Sequence, residues 1–322
     1  MIGSKRTERK MKVKDIEFGK KQGLASGTIW LPEETPCMVL QITHGMTEHI
    51  GRYEKMAHAL TGYGIAVAGF DLRGHGHNAK DPECATFGEG GWEASIKDMH
   101  LFYLELEKRF PNVPHFMMGF SLGSFLLRDY LSYYDDNIAG AVIMGTGQQP
   151  GIVLSVLMQI VKREITAHGF DSSTPLIDKM SFENYNQKFA PNTTPYDWLC
   201  ADEEQRAAYS EDSLCRRHIS AGLFYQLMDA MRRTGKKSTY EKWNKTVPIL
   251  LLSGQKDPVG DFGKGIQKVK NSMDYAGIKD VEVYLIPDAR HDVLHEEKNG
   301  GAEAAIDIIR KWMILKLYLT RN

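Results

Sequence analysis

Three residues of the 322-residue chain have types and settings suited to nucleophilic acyl transfer: Ser121, Asp257 and His291. Ser121 is the centre of Gly119-Phe120-Ser121-Leu122-Gly123, between an apolar run at 115–118 and a helix-like stretch at 122–134. On a sharp strand-to-helix turn, a serine is lifted clear of the sheet. It then faces a helix N-terminus, whose partial positive charge favours a developing oxyanion. Such a turn leaves no room for a Cβ two residues to either side, hence glycine at 119 and 123. A serine hydroxyl is a weak nucleophile at neutral pH and needs a base, itself oriented by a third group. Asp257 and His291 follow in chain order, each in a loop after a later apolar run. The loops read Ser253-Gly254-Gln255-Lys256-Asp257-Pro258 and Pro287-Asp288-Ala289-Arg290-His291-Asp292. Three strand ends thus offer all three side chains on one rim of a sheet, where ligands bind in open α/β sheets.

Nearby residues compete for these roles. His295 lies four residues further on, in a helical turn beyond the loop, so His291 is the expected base. Asp288 and Asp292 could orient a histidine. Asp257 has its own strand-end turn, followed by a proline suited to a first helical turn, and is the expected acid. Asp292 is expected to cap or charge the start of a turn. Stabilising an oxyanion takes two backbone N–H groups. Leu122 supplies one directly after the nucleophile. Met46, in His44-Gly45-Met46, is the candidate for the other, with Gly45 letting the backbone approach and the Met46 side chain walling the pocket. His44 is expected to be held by hydrogen bonds within its loop.

These residues need elements to position them. Residues 13–18 and 24–31 read as strands, and 37–43 is a short apolar run typical of a strand buried on both faces. Helix and strand then alternate: helix 53–63, strand 65–70, helix 92–110 stopped by Pro111, strand 115–120, helix 122–134, strand 138–144. That rhythm implies a mostly parallel sheet covered by helices on both faces. It breaks between about 148 and 245, where helical pieces at 151–165 and 213–231 flank a polar middle holding Pro175, Pro191 and Pro195. Strand 247–253, helix 262–275, strand 281–286 and helix 303–318 complete the pattern. The expected organisation is an α/β core, 1–147 and 246–322, with a helical cap inserted at 148–245, long enough to act as a lid.

Charge and cysteine usage narrow the partners. Lysine plus arginine number 40 against 41 acidic residues, a net charge of −1 that argues against nucleic acid. Four cysteines without a Cys-x-x-Cys spacing argue against a disulfide framework and a zinc site, and for a reducing, cytoplasmic setting. His75 and His77 sit in a glycine-rich loop with no clustered carboxylate or cysteine, so a turn is expected there and no metal. The basic residues Lys5, Arg6, Arg9, Lys10, Lys12 and Lys14 precede no apolar segment and read as a solvated tail, not a secretory leader. No run approaches the ~18 apolar residues of a membrane span. Lys236, Lys237, Lys242 and Lys245 read as a solvated return from cap to core.

Two further motifs carry a resemblance. His44-Gly45-Met46-Thr47-Glu48-His49-Ile50-Gly51-Arg52-Tyr53 and Asp71-Leu72-Arg73-Gly74-His75-Gly76 resemble the monoacylglycerol lipase and lysophospholipase branch of the serine α/β-hydrolases. The likeness covers about residues 16–147 and 247–317, and Asn192-Thr193-Thr194-Pro195-Tyr196-Asp197-Trp198-Leu199 is similar to bacterial members. The chain departs from that pattern in two places. Relatives often have His before the nucleophile and Gly at Ser124, and commonly Glu after the histidine and Asn at His295. The resemblance implies an α/β-hydrolase fold with a helical cap and a triad at Ser121, Asp257 and His291. It places Glu48 and Arg52 near the alcohol part of the substrate; the other reading is an ion pair fixing the oxyanion loop.

The expected activity is cofactor-free hydrolysis of carboxylic esters with an apolar acyl chain, such as monoacylglycerols or lysophospholipids, through an acyl-enzyme on Ser121. A proline iminopeptidase-like aminopeptidase is the rival on the same scaffold. It needs an acidic group for the substrate's amino terminus, which Asp202-Glu203-Glu204 could supply. A non-catalytic binding module has no need of all three reactive groups. Residues 151–161 are almost entirely apolar. Either they line an acyl pocket through Leu154, Leu157 and Met158, or they touch lipid aggregates transiently.

Overall fold

Consecutive strand residues enter opposite faces of one sheet, and the sequence supplies apolar side chains for both. The computed structural model describes residues 11–18, 23–24, 27–134, 137–216 and 218–321; the basic residues from Lys5 to Lys10 lie outside them. In chain order the first half contains β1 (Lys12–Ile16), β2 (Gly27–Leu31), β3 (Met38–Thr43), α1 (Glu54–Thr61), β4 (Ile65–Gly69), β5 (Cys84–Ala85), α2 (Gly91–Arg109), β6 (His115–Phe120), α3 (Leu122–Tyr133) and β7 (Gly140–Met144). Then come α4 (Gly151–His168), α5 (Pro175–Asp178), α6 (Asn184–Asn186), α7 (Glu203–Glu211), β8 (His218–Ile219), α8 (Ala221–Thr234) and α9 (Lys237–Tyr240). The chain closes with β9 (Ile249–Gly254), α10 (Lys264–Tyr275), β10 (Val281–Ile286) and α11 (Gly301–Arg321).

Eight strands form the sheet in the order β1-β2-β4-β3-β6-β7-β9-β10. The β1–β2 and β2–β4 pairs are antiparallel, and every pair from β4 to β10 is parallel. Val39, Ala66, Met117, Ile143 and Leu251 face a cluster with α2, α3 and α10. Their neighbours Leu40, Val67, Met118, Val142 and Leu250 face the opposite cluster with α1 and α11. Burying one such aliphatic side chain contributes about 1.5–3 kcal/mol, so helices cover both faces.

Between β7 and β9 the chain is mostly helical, with element bounds that differ from those the sequence implies. Residues 213–216 form a turn rather than the start of a helix. Helix α8 begins at Ala221, where the Ser220 hydroxyl accepts the Leu223 N–H. The polar middle carries α5, α6 and α7, and two-residue β8 pairs with β5. Leu154, Met158 and Val161 of α4 join Leu223, Leu227 and Met231 of α8 in the cluster that covers the sheet, so this stretch shares the sheet's core. The other face of α4 leaves Ile152, Val153, Val156 and Ile160 exposed. Among the described residues no helix is long and apolar enough to cross a membrane.

Candidate active site

The turn from β6 into α3 has the tight geometry its glycines imply. Ser121 adopts φ 51° and ψ −116° and donates its N–H to Met144 O at 2.9 Å. A Cβ on Gly119 would lie 2.2 Å from Gly123 O, and one on Gly123 would lie 2.1 Å from Thr43 O. Ser124, where relatives often have glycine, is buried and donates its hydroxyl to Ser121 O at 2.6 Å. Leu122 heads α3, so its N–H has no partner one turn back in the helix.

The three separate loops converge. Ser121 Oγ lies 2.9 Å from His291 Nε2, and His291 Nδ1 lies 2.9 Å from Asp257 Oδ1. Asp257 is fixed in turn: Oδ1 accepts the Val259 N–H at 2.8 Å, and Oδ2 accepts the Ser253 hydroxyl at 2.9 Å. His291 and Asp257 are buried. With a carboxylate on Nδ1, the imidazole keeps its proton there and leaves Nε2 free to take one from the serine. Phe120 and Trp198 lie against the imidazole, ring centroids 5.0 and 5.1 Å away.

The β3 loop is held by a chain of buried charges. Glu48 Oε1 accepts the Gly45 N–H at 2.5 Å and the Tyr53 hydroxyl at 2.8 Å, while Oε2 accepts from Arg52 Nη1. Arg52 Nη2 donates to Asp292 Oδ2 at 2.9 Å, and Asp292 Oδ1 lies 2.9 Å from His295 Nδ1. Burial alone would raise the Asp292 carboxyl, but His295 and Arg52 outweigh it and hold it well below the usual range. Burial works against the Arg52 cation too, yet Asp292 and Glu48 raise its pKa well above the ordinary value. Asp292 stands at the start of the turn 293–295 and charges it, as expected; its carboxylate makes no side-chain cap there and also ties the histidine loop to the β3 loop. Glu48 and Arg52 form the ion pair of the second reading and also line the cleft. His44 Nδ1 lies 2.7 Å from Gly45 O within its own loop, as expected, and its Nε2 also accepts the Leu72 N–H at 2.9 Å from the loop after β4, while burial lowers its pKa. His77 does have a carboxylate, Asp71, which also accepts the N–H groups of Ile50 and His77 and so closes the turn.

A narrow cleft opens over Ser121. Its cavity volume is about 40 Å³. Met46, Phe120, Phe182, Trp198 and Leu199 give it apolar walls; Thr47, Glu48, Arg52, Tyr209 and Arg216 give it a polar end. Leu154, Leu157 and Met158 are not part of that lining. They pack into the α4–α8 core: that face of α4 meets Leu223, Leu227 and Met231 of α8, and an equally apolar face turns to solvent. The residues that take their place come from 182–216. Trp198 and Leu199 sit in the stretch already similar to bacterial relatives, whereas Phe182, Tyr209 and Arg216 carry no local signal. Among the described residues, His49, Asp212 and Cys215 bring three metal-type atoms within 4.8 Å of one another. His49 Nε2 is already 2.8 Å from Asp212 Oδ2, and burial pushes the Cys215 thiol above its ordinary value, while the nearby Arg52 cation competes with a metal ion.

The chain is similar over most of its length to known proteins. The family described as serine aminopeptidase, S33 matches residues 34–298. Monoglyceride lipase of Mus musculus is 24% identical over 283 residues, 83% of each chain. Monoacylglycerol lipase of Mycolicibacterium smegmatis is 23% identical over 305 residues, 90% of this chain and 92% of the other. A thermostable carboxyl esterase structure from Bacillus coagulans superposes with a TM-score of 0.81 at 22% identity, covering 95% of this chain and 99% of that one. A match spanning most of the chain, on a parallel sheet with a serine elbow, makes this protein a member of the serine aminopeptidase S33 family of α/β-hydrolases.

Proposed function

We propose that the protein is a serine hydrolase of carboxylic esters with an apolar acyl chain, of the monoacylglycerol lipase type. Ser121 Oγ attacks the ester carbonyl carbon as its proton passes to His291 Nε2. The carbonyl oxygen becomes an oxyanion held by the N–H groups of Met46 and Leu122. The C–O bond to the alcohol then breaks, and His291 returns the proton to the departing alkoxide. Water attacks the acyl-enzyme with its proton taken by His291, and the carboxylic acid leaves as Ser121 regains its hydrogen. Asp257 holds the imidazole tautomer and offsets its positive charge.

One observation carries this reading: the His291 ring is 2.9 Å from both Ser121 Oγ and Asp257 Oδ1. The relatives that are monoacylglycerol lipases support the ester class, and the apolar walls of the cleft suit an acyl chain. The aminopeptidase alternative fits the site less well. Asp202 is engaged capping α7, and none of Asp202, Glu203 and Glu204 lines the cleft. Glu48, which does, is bound to Arg52, Tyr53 and Gly45. Four unpaired cysteines fit a cytoplasmic setting.

The segment 148–245 acts as a lid in this proposal. A cleft holding a few waters admits a long acyl chain only when residues 182–216 shift. The exposed stripe of α4, with Ile152 at 82% exposure, is the surface offered to lipid aggregates. The test is a fluorophosphonate probe alongside assays of monoacylglycerols and aminoacyl amides. Single labelling that vanishes in Ser121→Ala, with ester turnover falling by ~10⁶, is the expected result. Labelling that survives the substitution overturns the nucleophile, and faster cleavage of aminoacyl amides overturns the ester class.

A further inference from the structure

The two arginines of the cleft are not alike. Arg52 is neutralised by Glu48 and Asp292. Arg216 is 6% exposed and has no carboxylate partner among the described residues. Its Nη1 donates to Ser213 O at 2.6 Å and its Nη2 to Gly76 O at 2.8 Å, so carbonyl groups hold the guanidinium in place without cancelling its charge. The nearby acids are already engaged: Asp71 by Ile50 and His77, Asp212 by His49 and Leu214. Arg216 Nε and Trp198 Nε1 are both buried, both belong to cleft-lining residues, and neither has an acceptor among the described residues.

A buried cation without a counter-charge is costly, and arginine cannot escape by losing its proton. Arg128 also lacks a carboxylate, but Thr146, Gly147, Thr234 and Tyr240 all accept from it, and it is not part of the cleft. Arg216 differs in facing the space where substrate must lie. That space has an apolar wall for an acyl chain, which leaves the end with Thr47, Tyr209 and Arg216 for the alcohol part. The backbone N–H of Arg216 donates to Thr47 O at 2.8 Å, so the cation is also fixed to the loop that carries Met46.

We infer that Arg216 is a specificity residue for esters whose alcohol part carries an anionic group, a phosphate or a carboxylate, which completes the charge of the cleft. This rests on the ester-hydrolase reading above and refines its substrate class. The guanidinium fork suits either anion.

The experiment compares three soluble substrates: 1-butanoylglycerol, its 3-phosphate, and the butanoyl ester of glycolate. Wild-type kcat/KM should be higher for at least one anionic ester than for the neutral one, and the better of the two identifies the preferred anion. Arg216→Gln should lower the anionic-to-neutral ratio by about tenfold, the worth of one charge-assisted hydrogen bond, and Arg216→Lys should retain most of it. A wild-type preference for the neutral ester, or a proportional loss on all three in Arg216→Gln, overturns the inference. Absence of Ser121-dependent hydrolysis of every substrate would instead sink the ester-hydrolase reading. If Arg216→Gln does not fold, wild-type protein still decides. Glycerol 3-phosphate should inhibit hydrolysis of 4-nitrophenyl butanoate at about one tenth the concentration of glycerol, and equal inhibition by the two overturns the inference.

Discussion

Trp198 lies against the imidazole of His291, ring centroids 5.1 Å apart and planes 30° from parallel. The tryptophan comes from the segment between β7 and β9, the histidine from the loop after β10. The proposed base is therefore aligned partly by a residue outside its own loop, and Asp292 N–H donating to Leu199 O at 2.7 Å holds the two segments together. Trp198→Ala should lower kcat on a soluble ester by about ten- to hundredfold, the range expected when a reacting group is misplaced by an ångström. Trp198→Phe should keep most of the rate. Steady-state kinetics of both variants checks this, and an unaltered kcat in Trp198→Ala means the stacking is incidental.

The three aspartates around His291 should separate cleanly. Asp257→Asn should keep the fold and lower turnover by about 10⁴, because the wrong imidazole tautomer is favoured. Asp288 pairs with Lys256 at the surface and is 74% exposed on its side chain, so Asp288→Asn should be near wild type in rate and stability. Asp292→Asn should behave differently from both. It removes a buried partner of Arg52 and should cost about 3–5 kcal/mol of stability. Thermal melts and kinetics on the three variants distinguish these outcomes, and an Asp288→Asn more damaging than Asp257→Asn reverses the acid assignment.

The proposed triad is legible in the sequence because each of its members lies in the turn or loop that follows a strand, and such turns are local signals. Gly119 and Gly123 announce a turn that no Cβ tolerates, and Asp257 and His291 follow apolar runs that fold as β9 and β10. The Asp292 bridge was not legible, since its partner Arg52 lies 240 residues away and only the assembled sheet brings them together. Arg216 and Tyr209 escaped notice for the same reason. For α4, apolar residues on nearly every side concealed which face turns inward. Helix α8 begins later, at Ala221, than the sequence implies, because Leu214 and Cys215 extend the apolar pattern across a turn.

Stability should fall on mild acidification through two buried histidines. Burial, with nearby His44, pushes His75 down to about 3, and burial also lowers His44. Both bind a proton more readily in the unfolded chain, whose ordinary value is 6.5. The unfolded state thus gains protons as pH drops below about 6.5, and stability declines toward the folded values, by up to about 1.4 kcal/mol per pH unit for each histidine. The depressed carboxylates Asp71, Asp197, Asp212 and Asp292 shift in the same direction but from an ordinary value of 3.8, so their stabilisation is lost mainly at lower pH and the histidines dominate the slope between pH 6 and 4. Urea melts across that window should show the slope, and His75→Phe should flatten it. A flat wild-type profile between pH 6 and 4 counts against buried neutral histidines.

Chain-length selectivity should follow the cleft lining and not the apolar run of α4. Phe182 and Leu199 wall the space over Ser121, a cavity of only about 40 Å³. Room limits the acyl chain there more than contact does, since each lost methylene contact is worth only about 0.8 kcal/mol. Phe182→Ala and Leu199→Ala together should therefore raise the hexanoyl-to-acetyl ratio of kcat/KM by about tenfold. Leu154→Ala should act on stability instead, losing about 2–5 kcal/mol as a buried leucine does, with the ratio unmoved. The outer face of α4 is a separate matter. Replacing Ile152, Val153 and Val156 by serine removes exposed apolar surface. Those changes should spare soluble esters of every length and depress hydrolysis of monoacylglycerol dispersed in vesicles. Soluble and vesicle assays on the same variants decide both points. A Leu154→Ala that shifts the hexanoyl-to-acetyl ratio returns α4 to the acyl site, and unchanged vesicle activity in the serine variants removes its outer face from any role at a lipid surface.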